Sequence, residues 1–146
     1  MSAWMKLDEA GCRSAAVNSG THAIFFLGSG MNTALISFKV YLCDGTNLNF
    51  SAGGYRTGRA SENYPTQGFT VPMTATQLFD GDWHLLSVTY SGEATRTITG
   101  YYDGRAAGAL TLTGDDAVNL SGRCHLGWGG MGSIAGDFDD WTLLSR

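Results

Sequence analysis

Apolar and polar residues alternate with a period of two along short stretches of this chain. Ile36, Phe38, Val40 and Leu42 alternate with Ser37, Lys39 and Tyr41, a spacing that places one set of side chains on a buried strand face. Asp44-Gly45 reads as the turn that follows, and Leu48 to Ala52 as the returning arm of a hairpin. The same logic predicts strands over Ser2 to Leu7, Ala23 to Leu27, Gly68 to Met73, His84 to Tyr90, Thr95 to Tyr102, Ala107 to Leu112, Cys124 to Gly127 and Phe138 to Leu144. No window sustains apolar residues at i, i+3, i+4 and i+7, which disfavours major helices. Repeated short strands with turns between them predict an all-β sandwich or barrel.

Composition narrows the picture. The 21 glycines among 146 residues are about twice the ~7% average and punctuate the apolar runs. One domain over residues 1–146 is expected, because a chain of this size buries roughly 68–70% of its unfolded surface around a single core. With 43% hydrophobic and only 15% charged residues, the surface is polar and weakly charged. A net charge of -4 without a Lys/Arg cluster leaves no electrostatic footprint for nucleic acid or anionic lipid. The N-terminus has no export signal and no apolar run is long enough to span a bilayer, so neither membrane insertion nor a location is assigned; an extracellular or virion-associated place is expected if the chain belongs to a larger protein. Cys12, Cys43 and Cys124 match no zinc spacing, and an odd count leaves at least one thiol free.

The order of motifs then points to a family. Asp80-Gly81-Asp82-Trp83-His84 leads a strand, Tyr101-Tyr102-Asp103-Gly104-Arg105 ends the next one in a turn, Cys124-His125-Leu126-Gly127 forms a short strand with a glycine exit, and Gly136-Asp137-Phe138-Asp139-Asp140 opens the closing strand. Upstream, Ser2-Ala3-Trp4-Met5-Lys6-Leu7 and Ile24-Phe25-Phe26-Leu27-Gly28-Ser29-Gly30 fit the same sequence of strands. The chain thereby resembles the laminin G-like branch of the concanavalin A-like lectin and glucanase superfamily. That resemblance implies a jelly roll of two packed antiparallel sheets and a non-catalytic, lectin-like or adhesion-type binding module. Family members usually carry one or more strands before the Ser-Ala-Trp strand, and this chain starts almost on it. Such a lack is expected to leave an unpaired edge, so the chain is either an excerpt of a larger protein or forms a homo-oligomer along that edge.

The chemistry-bearing residues favour binding over catalysis. Glucanases on this fold carry an E-x-D-x-x-E strand that holds two carboxylates ~5 Å apart across the scissile bond, whereas the glutamates here are Glu9, Glu62 and Glu93, scattered along the chain. Gly127-Trp128-Gly129-Gly130-Met131-Gly132 satisfies G-x-G-x-x-G, but without the helix a dinucleotide site needs. His22, His84 and His125 have no triad-like spacing and read as structural. Asn49-Phe50-Ser51 and Asn119-Leu120-Ser121 match glycosylation sequons.

Two groups remain as candidate sites. Tyr55, Arg56, Arg59, Asn63 and Tyr64, in the loop Gly53 to Thr66, together with Trp128, combine rings with planar polar groups, the pairing that sugar C–H faces and hydroxyls require. Their expected ligand is a glycan or a protein surface. No cofactor is expected, with Asp137 and Asp139 the candidate calcium ligands. Strict alternation puts Asp139 on the inward face with Trp141 and Leu143, there to accept backbone hydrogen bonds, and turns Asp137 to solvent. Trp83, Asp103-Gly104 and Asp139-Asp140 are expected to hold the sandwich together. A structural or assembly module of a bacterial surface or phage virion protein is the alternative reading.

Overall fold

The computed structural model describes residues 1–12, 21–28, 37–43, 47–53, 67–92, 94–113, 123–126 and 134–144; within 21–28 (Ile24 apart), 37–43, 51–53 and 123–126 it describes the backbone alone. Ten strands are described: β1 Ser2–Leu7, β2 Thr21–Gly28, β3 Ser37–Cys43, β4 Asn47–Gly53, β5 Gln67–Val71, β6 His84–Tyr90, β7 Thr97–Tyr102, β8 Arg105–Thr111, β9 Arg123–Leu126 and β10 Gly136–Thr142. Two single-turn helices join them, α1 at residues 9–12 and α2 at Ala75–Leu78. The strands form two antiparallel sheets, A in the order β10-β1-β6-β7-β8 and B in the order β5-β4-β3-β2-β9. This is a jelly-roll β-sandwich.

Alternation builds the core. Ala3, Met5 and Leu7 of β1, Leu86 and Val88 of β6 and Ile98 of β7 are buried from sheet A, and Ile24, Leu48 and Phe50 from sheet B. Each large side chain so buried contributes about 1.5–3 kcal/mol. Phe50 and Phe69 stack with centroids 5.2 Å apart, and the facing sheet makes room for them. Gly100 and Gly108 are cross-strand partners, and a Cβ on either would stand 2.6 Å from the ring of Phe50 or Phe69 respectively. The missing side chains thus let two rings lie directly on the β7–β8 backbone.

The flanks are closed by side chains. Gln67 at the start of edge strand β5 accepts from Thr113 N (2.7 Å) and donates to Thr113 O (2.8 Å), so its amide imitates a strand and ties β5 to the exit of β8. At one end, Leu78 of α2 is buried in the core. Thr74 and Gln77 form a capping box, Gln77 N donating to Thr74 Oγ1 (3.1 Å) and Thr74 N to Gln77 Oε1 (2.8 Å). Asp8 plays a similar part for α1, its carboxylate accepting from Ala10 N (3.3 Å) and Gly11 N (3.1 Å).

Two expectations change. The Ser-Ala-Trp strand is interior, with β10 on one side and β6 on the other, so it has no unpaired edge. The open edges of the described sheets are β10, β8, β5 and β9. Strict alternation also fails in β10. Ser2 pairs with Thr142 but Trp4 with Asp139, so β10 holds one residue more than β1 over that interval, a bulge at Asp140, whose φ is +45°. The extra residue reverses the faces: Phe138 lies opposite buried Met5, while Asp139 lies opposite exposed Trp4.

Candidate functional site

One cluster of titratable groups surrounds His84 at the α2 end of the sandwich. Asp103 and Gly104, with φ of +50° and +74°, form the two-residue turn between β7 and β8, and positive φ at both positions is what a type I′ hairpin requires. The turn aims Asp103 at β6. Leu85 N donates to Asp103 Oδ1 (2.9 Å), and His84 Nδ1 donates to Asp103 Oδ2 (2.8 Å). Asp80 receives both Asp82 N (2.8 Å) and His84 Nε2 (3.0 Å) on Oδ1. The imidazole stacks on Tyr102 at 5.0 Å, and Tyr102 Oη donates to Gln77 O of α2 (2.5 Å).

Burial by itself would lower the His84 pKa, but the hydrogen bonds and charges of Asp103 and Asp80 outweigh it and hold the imidazole above its ordinary value. Asp80 is held below the usual carboxylate range, chiefly by Asp82 N and next by His84. Burial first, then the two carboxylates, pushes the Tyr102 phenol up, so it stays a donor. With a carboxylate on each ring nitrogen, His84 is a charged clasp with no free nitrogen to accept a substrate proton. The clasp joins β6, the β7–β8 turn and α2.

A second region lies on the other side of sheet A. Register places Asp139, Trp4 and Leu85 in one cross-strand row, Thr142, Ser2, Ser87 and Tyr101 in the next, and Asp137 with Lys6 in a third. All belong to the face opposite Met5 and Leu86. Trp4 is 37% exposed, and Asp137, Asp139 and Thr142 are exposed as well. Trp83, immediately before β6, is 43% exposed, so it does not hold the sandwich together from inside. Among the described residues, no element packs over this face.

At the end of β1 the face runs into a shallow hollow of about 380 Å³, lined by Lys6, Leu7, Asp8, Gly136 and Asp137. Its floor depends on Gly136. The φ of +151° and the close approach to β1, where a Cβ would stand 2.4 Å from Lys6 O, admit no side chain. Asp139 uses Oδ1 on Asp140 N (2.8 Å) and remains exposed to an outside donor. The region therefore offers a ring, carboxylate acceptors and one ammonium donor around a concavity.

The sequence-derived candidates separate. Tyr55, Arg56, Arg59, Asn63, Tyr64 and Trp128 lie outside the described residues, as do the G-x-G-x-x-G stretch and Asn119. Asp137 and Asp139 are described, and both face outward. That corrects the inward placement of Asp139, which shares a face with Trp4 and Thr142 because of the bulge. Among the described residues no group of three or more His, Cys, Asp or Glu could hold a metal. Asn49 is buried, accepts from Thr70 Oγ1 (2.6 Å), and in the folded protein presents no glycosylation site. Cys12 is a free, buried thiol that donates to Ala135 O (3.3 Å); burial pushes its pKa up, which makes it unreactive. Trp4, Ser2, Ser87 and Tyr101 escaped the sequence reading, although one signal was available. Trp4 sits out of phase with Ala3, Met5 and Leu7, and an outward tryptophan on a strand asks for an explanation.

No protein-family model and no curated protein matches the chain. Solved structures do. Mouse laminin alpha1 chain, domains LG4-5, aligns with a TM-score of 0.60 at 16% identity over 92% of this chain and 32% of that one. The carbohydrate-binding module CBM40 of the Ruminococcus gnavus IT-sialidase aligns with a TM-score of 0.54 at 10% identity, over 99% of this chain and 77% of that one. The same module bound to alpha2,3 sialyllactose gives 0.53 at 12% identity, over 94% and 67%. This chain therefore spans about a third of the laminin structure and more of the bacterial module, and it shares their concanavalin A-like fold.

Proposed function

We propose that this chain is a non-catalytic binding module that recognises a carbohydrate or a protein surface through the outer face of sheet A. The observation that carries the proposal is Trp4, a large ring exposed on a hydroxyl-rich sheet face that no described element covers, beside a hollow lined by Lys6, Asp8 and Asp137. A fold shared with a module seen bound to sialyllactose supports a glycan as the ligand; the lack of an E-x-D-x-x-E strand supports binding without turnover. The loop residues Tyr55, Arg56, Arg59, Asn63, Tyr64 and Trp128 are proposed as further contacts. An extracellular or virion-associated setting follows from such a role, and no helix among the described residues is long and apolar enough to cross a membrane. A glycan array and a pull-down with the purified chain test the reading. Binding in either supports it, and silence in both overturns it.

Calcium at Asp137 and Asp139 belongs to the same proposal, resting on two carboxylates of one face. A melting temperature unmoved by millimolar calcium removes it.

A second reading, an assembly module, has one observation in its favour. Edge strand β10 and the residues after it expose Trp141 (40%), Leu143 (44%) and Leu144 (80%). Asp137, Asp139 and Asp140 on the same strand would repel a second copy paired edge to edge, so the docked neighbour would be a different chain. An interface above ~1,000 Å² built on β10 would establish it.

A further inference from the structure

We infer that the hollow between β1 and β10, with Trp4 beside it, is a binding site for a neutral oligosaccharide, and that acidic glycans are poor ligands there. This rests on the binding-module reading and assigns its ligand class, which differs from the acidic sialyllactose of the bacterial module, a protein that shares the fold at 12% identity.

Charge decides the class. Among the described residues, Asp8, Asp137 and Asp139 stand around the hollow and the adjoining row against one cation, Lys6. A carboxylate or sulfate placed among them would meet like charge from several sides with one cation to offset it. A neutral sugar meets no such cost. Its hydroxyls donate to the carboxylate oxygens of Asp137 and Asp139, charge-assisted hydrogen bonds stronger than neutral ones, and Lys6 Nζ donates to a hydroxyl oxygen that those carboxylates cannot serve.

Shape points the same way. About 380 Å³ lies near the small end of ligand pockets, whereas a protein partner would need a patch of roughly 800 Å² with its charged residues at the rim. Here the charges crowd the concavity. Trp4 stands one row from Lys6 and Asp137 on the same face, so a sugar seated in the hollow has the ring beside its next unit. Tyr101 lies two strands away from β1, roughly 10 Å to the side, with Ser2 and Ser87 between. The face thus offers one stacking ring, a line of hydroxyls and a second ring, an arrangement suited to a short chain of sugars.

The test titrates the 146-residue chain with neutral hexose oligomers and with the same oligomers carrying sialic acid or sulfate. The expected result is binding of a neutral oligomer, weakened about tenfold or more by the added charge, with the difference shrinking as salt is raised. Trp4→Ala should weaken neutral binding by about tenfold, Trp4→Phe by less, and Asp137→Asn should narrow the gap between neutral and acidic forms, all with the fold retained by circular dichroism. Tighter binding of the acidic form overturns the ligand class. Neutral binding untouched in both Trp4→Ala and Asp137→Asn overturns the site and leaves the binding-module reading standing. A chain that captures a protein but no sugar overturns the inference alone, and one that binds nothing overturns both.

Discussion

The two polar regions of sheet A use the same residue types in opposite ways. At the His84 end, two aspartates, a histidine and a tyrosine spend their polar atoms on one another and on backbone, and each bond ties together elements distant in sequence. At the Trp4 end, two aspartates, a lysine and a tryptophan stand on an open face beside a hollow, with exposed atoms directed at solvent. A titratable cluster is therefore a poor marker of function unless its partners are counted. The satisfied cluster has the features of a catalytic dyad and is a clasp, whereas the unsatisfied one has no catalytic pattern and is the better binding candidate.

Substitutions should separate the two. The largest effect is expected from Asp103→Ala, which removes an acceptor from both Leu85 N and His84 Nδ1; at about 1.5–3 kcal/mol for a bond to a charged group, urea denaturation should report a loss of about 2–3 kcal/mol while ligand affinity holds. Trp4→Ala should do the reverse, costing about tenfold in affinity and about 1 kcal/mol in stability for the covered part of the ring. Should Trp4→Ala unfold the chain, the outer face is structural and the contrast collapses. Thr74→Ala removes the cap of α2 and should cost about 1 kcal/mol, again without a change in binding.

The smallest effect is a pH dependence confined to the clasp. The folded-state pKa of His84 is raised, so its contribution is fully present below the unfolded value near 6.5 and is lost as pH rises through the folded value. Asp80 is lowered, so its contribution is present above its unfolded value near 3.9 and is lost as pH falls through the folded one. Stability measured upward from pH 6 should therefore decline in the native chain and stay flatter in His84→Gln. An equal slope in both would show that the clasp does not depend on the imidazolium.

Some of this was legible beforehand. Thr74-x-x-Gln77 is a capping-box spacing and predicts the start of α2 without a structure. Asp80 to Asp82 is a local turn bond, readable from the spacing. His84 with Asp103 was not, because the partners lie on different strands and only the β6–β7 pairing brings them together. Likewise β10 reads as a simple alternation until its partner counts the residues. Ser2↔Thr142 and Trp4↔Asp139 show the bulge, and with it the outward turn of Asp139.

The amino-acid pattern alone determined that this is an all-β sandwich or barrel, with β1 and β6 over the spans expected of them, since the period of two and glycine-marked turns are local properties that each segment carries within itself; the order of motifs, through the resemblance it carries, pointed to the sandwich. Tertiary structure decided which strands became neighbours. It placed β1 inside sheet A, set Gly100 and Gly108 beneath the two phenylalanine rings, closed the clasp on His84 and turned Trp4 and Asp139 to the same open face. Those outcomes depend on register between segments far apart in the chain, where one additional residue exchanges inside for outside.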